Sequence, residues 1–140
     1  MPAKVLLPLA MALLMAACVT APRPTLYEQF GGRPGIEALV EELLVRILDD
    51  PRINADFADT DILNLNDRLV EQVCVEVGGP CTYTGRSMAE AHASQDITQA
   101  DFYALVEALV DAMQARGIPP RAQNRLLHRL APMHRDIVSP

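Results

Sequence analysis

The chain has 140 residues, half of them hydrophobic, with a formal net charge of −6 and no tryptophan. That acidic balance gives no electrostatic case for nucleic acid, whose phosphates demand a basic surface. With few aromatics, the core must be mainly Leu, Val, Ile, Ala and Met, and there is no internal repeat or low-complexity segment.

Residues 1–17 read as a signal rather than as part of a fold. Lys4 supplies one positive charge, and Val5 to Ala17 is apolar except for Pro8. Spanning a bilayer takes roughly 20 residues, whereas a secretory signal core takes about 7–15. The run ends in Leu14-Met15-Ala16-Ala17-Cys18. This resembles a bacterial lipobox, with Met15 where leucine is more usual. It implies cleavage before Cys18 and acylation of its thiol. The competing reading is ordinary secretion with an unmodified Cys18. Val19 follows, not the aspartate that retains many lipoproteins at the inner membrane. The expected location is therefore the cell envelope: lipid-anchored, facing the periplasm, in the outer membrane. Residues 18–24, with two prolines, form a tether. Residues 25–140 are long enough for one domain with one core.

That domain is expected to be helical throughout. Thr25-x-x-Glu28 is a capping box that opens a short helix, and Gly31-Gly32 stops it. Ile36, Leu39, Val40, Leu43, Leu44, Ile47 and Leu48 follow the spacing of one broad buried face. Asp49-Asp50-Pro51 ends that helix. An irregular polar segment follows, holding Ile53, Phe57 and Ile62. The next helix runs from about Leu63 to Val77, with Leu65, Leu69 and Val73 on one stripe and Val70, Cys74 and Val77 beside it. Thr98-x-x-Asp101 caps a long helix carrying Phe102, Leu105, Val106, Leu109, Val110 and Met113, and Gly117 terminates it. Pro119 and Pro120 open a last helix with Leu126, Leu127, Leu130, Met133 and Ile137 inside. Pro132 should kink it, because proline lacks the donor N–H and clashes with the preceding turn.

Cys74 to His92 is the most informative stretch. A helix ends in Gly78-Gly79-Pro80, a loop follows, and His92 sits on a short polar segment where a bundle would want leucine. This holds one imidazole on its own support opposite an apolar helix, an arrangement suited to a flat iron cofactor. A surface histidine beside a polar turn is the bland alternative. His128 and His134, among Arg125, Arg129 and Arg135, read as a solvated basic face.

Gly31-Gly32, Phe57, Gly78-Gly79-Pro80, Tyr83-Thr84-Gly85-Arg86, Met88, His92, Ile97-Thr98 and Phe102 resemble group I truncated haemoglobins in order and spacing. The resemblance covers nearly all of Leu26 to Val138. It implies a two-over-two helical sandwich enclosing one haem b. His92 falls on the family's proximal iron ligand, and a single histidine is a common axial ligand in globins. Phe57 falls on the phenylalanine that packs on the porphyrin, and Phe102 is counted with the cofactor-binding residues. Met88 reads as apolar pocket wall. Arg68 is placed to lean toward the haem edge, with Tyr83 and Arg86 as further candidates for the propionates. A solvated surface charge is the alternative for each arginine.

The distal side departs from the family. Where many members carry a tyrosine and a glutamine, this chain has Leu44 and Leu69; Leu43 and Leu65 nearby are apolar too. Bound dioxygen carries partial negative charge on its outer atom. A hydrogen-bond donor stabilises it by about 0.5–1.5 kcal/mol, more in a dry pocket. The leucines cannot donate, so weak oxygen binding or discrimination among gases is expected. Carbon monoxide and nitric oxide depend less on such a donor.

The expected function is therefore gas binding by an exported haem protein, served by an unidentified electron donor. A haem enzyme, such as a peroxidase or nitric oxide dioxygenase, is the alternative. A haem-free helical interaction domain is the third. Cys74 and Cys81 flank Gly-Gly-Pro, and in an exported protein two such thiols usually pair. No Cys-x-x-Cys-His for covalent haem attachment is present.

Overall fold

A computed structural model describes Met1 and residues 22–139. The signal segment beyond Met1, Cys18 and the start of the tether lie outside the described residues. Among those described, every regular element is helical: α1 (Leu26–Gln29), α2 (Gly32–Asp49), a 3-10 turn (Asn54–Phe57), α3 (Ile62–Glu76), α4 (Met88–His92), α5 (Gln99–Ala115), α6 (Pro120–Leu130), a second 3-10 turn (Ala131–Met133) and α7 (His134–Ile137).

Local chemistry sets most boundaries. Thr25 accepts from the Glu28 N–H while Glu28 reaches back to the Thr25 N–H, closing the capping box of α1. Gly31 then turns the chain into α2 with φ at +79°, a conformation that costs glycine nothing. Asp61 caps α3 through the Asn64 N–H. Thr98 and Asp101 form the capping box of α5. Pro120 occupies the first turn of α6, where its missing N–H has no cost.

The core lies where α2 packs against α3 and α5, with α6 closing against both of those helices. Ile36, Leu39, Val40, Leu43, Leu44 and Ile47 of α2 are buried. Leu48 departs from the expected face. It is 41% exposed because it lies in the final turn, where the chain leaves at Asp50-Pro51. On α3, Val70, Val73 and Cys74 are buried, whereas Leu65 and Leu69 are only half-buried.

α5 differs more. Its deepest stripe is Ala104, Ala108 and Ala112, with Leu109 and Met113. Phe102, Leu105, Val106 and Val110, expected inside, are half-buried. Alanine every fourth residue provides a shallow face on which a partner helix approaches closely. The larger side chains are left on the flank. On α6 only Ala122, Gln123 and Leu126 are buried. Gln123 satisfies its amide by donating to the Ile118 carbonyl at 2.8 Å. At Pro132 the helix tightens into the 3-10 turn and resumes as α7, so the expected kink is a full change of element.

Candidate functional site

α4 is five residues long and carries His92 at its last position. Ser87 and Glu90 form a capping box, without which so short a helix would be marginal. The hydrogen bonds from Ser87 hold the Glu90 carboxyl below its ordinary range. His92 Nδ1 lies 2.7 Å from the Met88 carbonyl oxygen. A carbonyl only accepts, so Nδ1 carries the proton. With Nδ1 as the donor, Nε2 is the nitrogen left to offer a lone pair, the tautomer a metal requires. Helix α4 rests on α7. Ser139 extends the same support, donating from its N–H to Ile97 O at 2.9 Å and from its hydroxyl to Gln95 O.

Several apolar side chains on the other helices are incompletely buried. Ile62, Leu65 and Leu69 share one stripe of α3, and Leu65 and Leu69 pack beside the core without being enclosed by it. Phe102, Leu105 and Val106 form a half-buried flank of α5, and Phe57 is half-buried on its 3-10 turn. Leu43 and Leu44 are buried on α2. Two buried nitrogens have no hydrogen-bond partner among the described residues, Arg68 Nε and His134 Nε2. Leaving a buried donor unpaired costs about 1–3 kcal/mol. Half-buried apolar side chains, an imidazole with its Nε2 lone pair available and an orphaned guanidinium N–H suit a flat, apolar cofactor with acidic substituents at one edge.

The loop between α3 and α4 is held at several points. Cys74 Sγ is bonded to Cys81 Sγ across a Cα–Cα distance of 5.9 Å. Gly79 sits against this bridge: a Cβ there would meet Cys74 Sγ at 2.6 Å and the Tyr27 ring at 2.5 Å. Further along, Glu71 accepts from the Thr84 N–H at 2.8 Å and from its hydroxyl. The Thr84 N–H is the main cause holding the Glu71 carboxyl below its ordinary range; the Thr84 hydroxyl and the Arg68 and Arg33 charges add to it. Arg68 pairs with Glu71 at 3.0 Å. Tyr83 donates its hydroxyl to the Arg86 carbonyl at 2.7 Å, so that hydroxyl is used within the loop. The Arg86 side chain is exposed.

Sequence reasoning missed two neighbours of this region. Gln72 lies three residues beyond Leu69 and seven beyond Leu65, hence on the same stripe. Its amide donates to Met133 Sδ at 3.3 Å and Met88 Sδ at 3.6 Å, both weak acceptors. These three residues line a cavity of about 290 Å³ with Val75, Glu76 and Tyr83. The helical period that selected Leu65 and Leu69 also points to Gln72, but an apolar pattern search skips it. The second is His134. The expected solvated basic face holds for His128, which is exposed. It fails for His134, whose half-buried ring meets Phe102 edge-on at 4.8 Å. The break at Pro132 re-aims the chain and turns His134 inward.

A short helical sandwich with one imidazole on its own support defines a haem-pocket architecture. The chain belongs to the bacterial-like globin family, which matches residues 25–139. It is 35% identical over 115 residues to the group 1 truncated haemoglobin GlbN of Nostoc sp., covering 82% of this chain and 98% of that one. It is 31% identical to GlbN of Mycolicibacterium paratuberculosis, covering 82% and 85%. Truncated haemoglobin of Tetrahymena pyriformis in its Fe(III) form superposes with a TM-score of 0.79 at 25% identity, covering 84% of this chain and all of that one. The 2/2 haemoglobin of Synechococcus, in the cyanomet state with covalently attached haem, gives 0.76 at 25% identity, covering 82% and 98%. The fold is the two-over-two globin sandwich, and the family's cofactor is haem.

Proposed function

We propose that this protein binds small diatomic gases, with His92 as the axial ligand to haem b and an apolar distal face of Leu44, Leu65 and Leu69. Haem supplies the iron at which a gas binds. The observation that carries the reading is the 2.7 Å contact from His92 Nδ1 to the Met88 carbonyl, which fixes the ring and leaves Nε2 for the metal. Phe57, Met88 and Phe102 supply apolar contact, and Arg68 offers its orphaned N–H to a propionate, with Tyr83 and Arg86 at the rim. The three leucines give bound dioxygen no donor, which favours rapid oxygen release and selectivity for gases that need none. The Leu14 to Cys18 motif supports export and acylation at Cys18, placing the domain in the cell envelope, lipid-anchored on the periplasmic side of the outer membrane. An electron donor in that compartment keeps the protein in its gas-binding state.

The test is a set of ferric, ferrous and ferrous-carbon monoxide spectra of wild type and His92→Ala. The variant should lose most of its haem on purification and regain it with added imidazole. Wild-type haem content and spectra in the variant would reassign the ligand to His128 or His134.

A further inference from the structure

We propose that the exposed arginines of α6 form a docking surface for the anionic headgroups of a phospholipid membrane, and that this surface sets which way the tethered domain faces. Between Asp111 and Asp136 the chain has no acidic residue but carries Arg116, Arg121, Arg125, Arg129 and Arg135. In a protein of net charge −6 this is a marked segregation. All five are exposed. Arg121, Arg125 and Arg129 recur at every fourth position and therefore share one side of α6. Ala122, Gln123 and Leu126 face the core.

The pairing pattern separates these arginines from those of α2, α3 and the turn between them, although Arg86, on the loop before α4, is likewise without an ion pair among the described residues. Arg33, Arg46, Arg52 and Arg68 each hold a carboxylate at 3.0 Å or less. Among the described residues, no ion pair engages Arg116, Arg121, Arg125 or Arg129, and Arg135 has only its neighbour Asp136 at 3.9 Å. Arg129 gives one N–H to the Glu76 carbonyl and keeps the rest of its donors free. Beyond Lys4 the chain contains no lysine, so every cation on this surface is a guanidinium, whose planar fork grips a phosphate with two parallel hydrogen bonds.

Position selects a membrane over a soluble acidic protein. Glu28, Gln29 and Gly31 flank a hollow of about 240 Å³ together with Arg116, Gly117 and Ile118. The N-terminal end of the domain and the start of α6 therefore lie side by side. Cys18 and Thr25 are seven positions apart, a reach of at most about 25 Å when extended. An anchor at Cys18 thus holds the arginine stripe within reach of the headgroups. This orientation rests on the acylation proposed above. The docking does not, because clustered surface arginines bind an anionic leaflet without an anchor.

The Tetrahymena relative, whose whole chain matches this domain, shows that such a domain folds alone. Residues 19–140, loaded with haem, are therefore suitable for sedimentation with vesicles of phosphatidylglycerol in phosphatidylcholine. Binding should rise with the phosphatidylglycerol fraction, fall with salt and vanish on pure phosphatidylcholine. Each lost arginine should weaken partitioning about five-fold, so Arg121→Gln with Arg125→Gln should weaken it about 25-fold. Arg33→Gln with Arg46→Gln removes equal charge elsewhere and should change it less than about two-fold. Absence of phosphatidylglycerol-dependent binding at low salt, or equal loss in both double variants, overturns the proposal. So does arginine-dependent binding to immobilised polyglutamate without vesicle binding, which would assign the stripe to an acidic protein. Vesicle failure beside intact acylation of Cys18 leaves the anchor standing, and vesicle binding beside absent acylation leaves the docking standing.

Discussion

Reducing the Cys74–Cys81 bridge should destabilise the domain before it alters gas binding. The two cysteines are seven positions apart, so they close a small ring. For a ring of this size the chain-entropy model gives about 2.5 kcal/mol at 25 °C. A domain of this length unfolds with an entropy of about 0.24 kcal/mol/K, so the loss corresponds to a fall in Tm of about 10 °C. The native loop keeps other restraints after reduction: Gly79 N–H still donates to Cys74 O at 2.8 Å, and Thr84 still donates to Glu71. The His92 ring remains tied to Met88. Gas dissociation rates at 25 °C should therefore change by less than about two-fold, because the bridge acts mainly on the unfolded chain. The assay is a thermal melt by circular dichroism of one haem-loaded sample before and after dithiothreitol, with free thiols counted by mass spectrometry. Cys81→Ala serves as the second perturbation, since Cys81 is half-buried and Cys74 is fully buried. A Tm change below about 3 °C with both thiols free would refute the entropy argument. Altered carbon monoxide dissociation in a fully folded reduced protein would instead make the bridge a positioning element.

Glu71→Gln tests the second restraint on the same loop. The folded carboxyl is held below its ordinary range by Thr84, so its contribution is fully present above the unfolded value and lost as pH falls through the lower folded value. Wild type should melt higher than the variant at pH 7, and the gap should close in acid below the ordinary glutamate range; a gap that persists there would exclude the carboxylate as its source. Leu44→Tyr should slow oxygen dissociation about ten-fold if the hydroxyl adds roughly 1.4 kcal/mol, and carbon monoxide dissociation much less, as read by stopped flow and flash photolysis. Equal oxygen rates with the tyrosine inside the pocket would mean that another donor already serves the site. Gln72 would be the first to examine, and the enzyme alternative would then be tested by turnover with peroxide or nitric oxide. Cys18→Ser should abolish labelling by radioactive fatty acid in the native host without changing the haem spectrum; unlabelled wild type would favour ordinary secretion.

Helix starts were legible because their chemistry is local. The Thr25 and Thr98 capping boxes each occupy four consecutive residues, and both form as read. The Ser87 box is equally local, and the helix it opens is only five residues long. Burial on α5 was not legible from periodicity. Hydrophobic spacing favoured Phe102, Leu105 and Val106, whereas the closeness of α2 selects the alanine stripe. Pro132 announced a break, but nothing local says that the chain beyond it turns under α4. The inward placement of His134 follows from that turn. Gln72 escaped because its two sulfur partners come from 16 and 61 residues away.

The floor beneath α4 has a consequence for how the protein is made. Leu126 is the last fully buried core residue, so a chain ending at Met133 would contain nearly everything needed to collapse. It would lack α7 and the Ser139 bonds to Gln95 and Ile97, which are what α4 rests on. Collapse and completion of the His92 support are thus separate events in synthesis, and the second waits for the final six described residues. A tag fused directly after Ser139 would act on the histidine mount rather than on a free end.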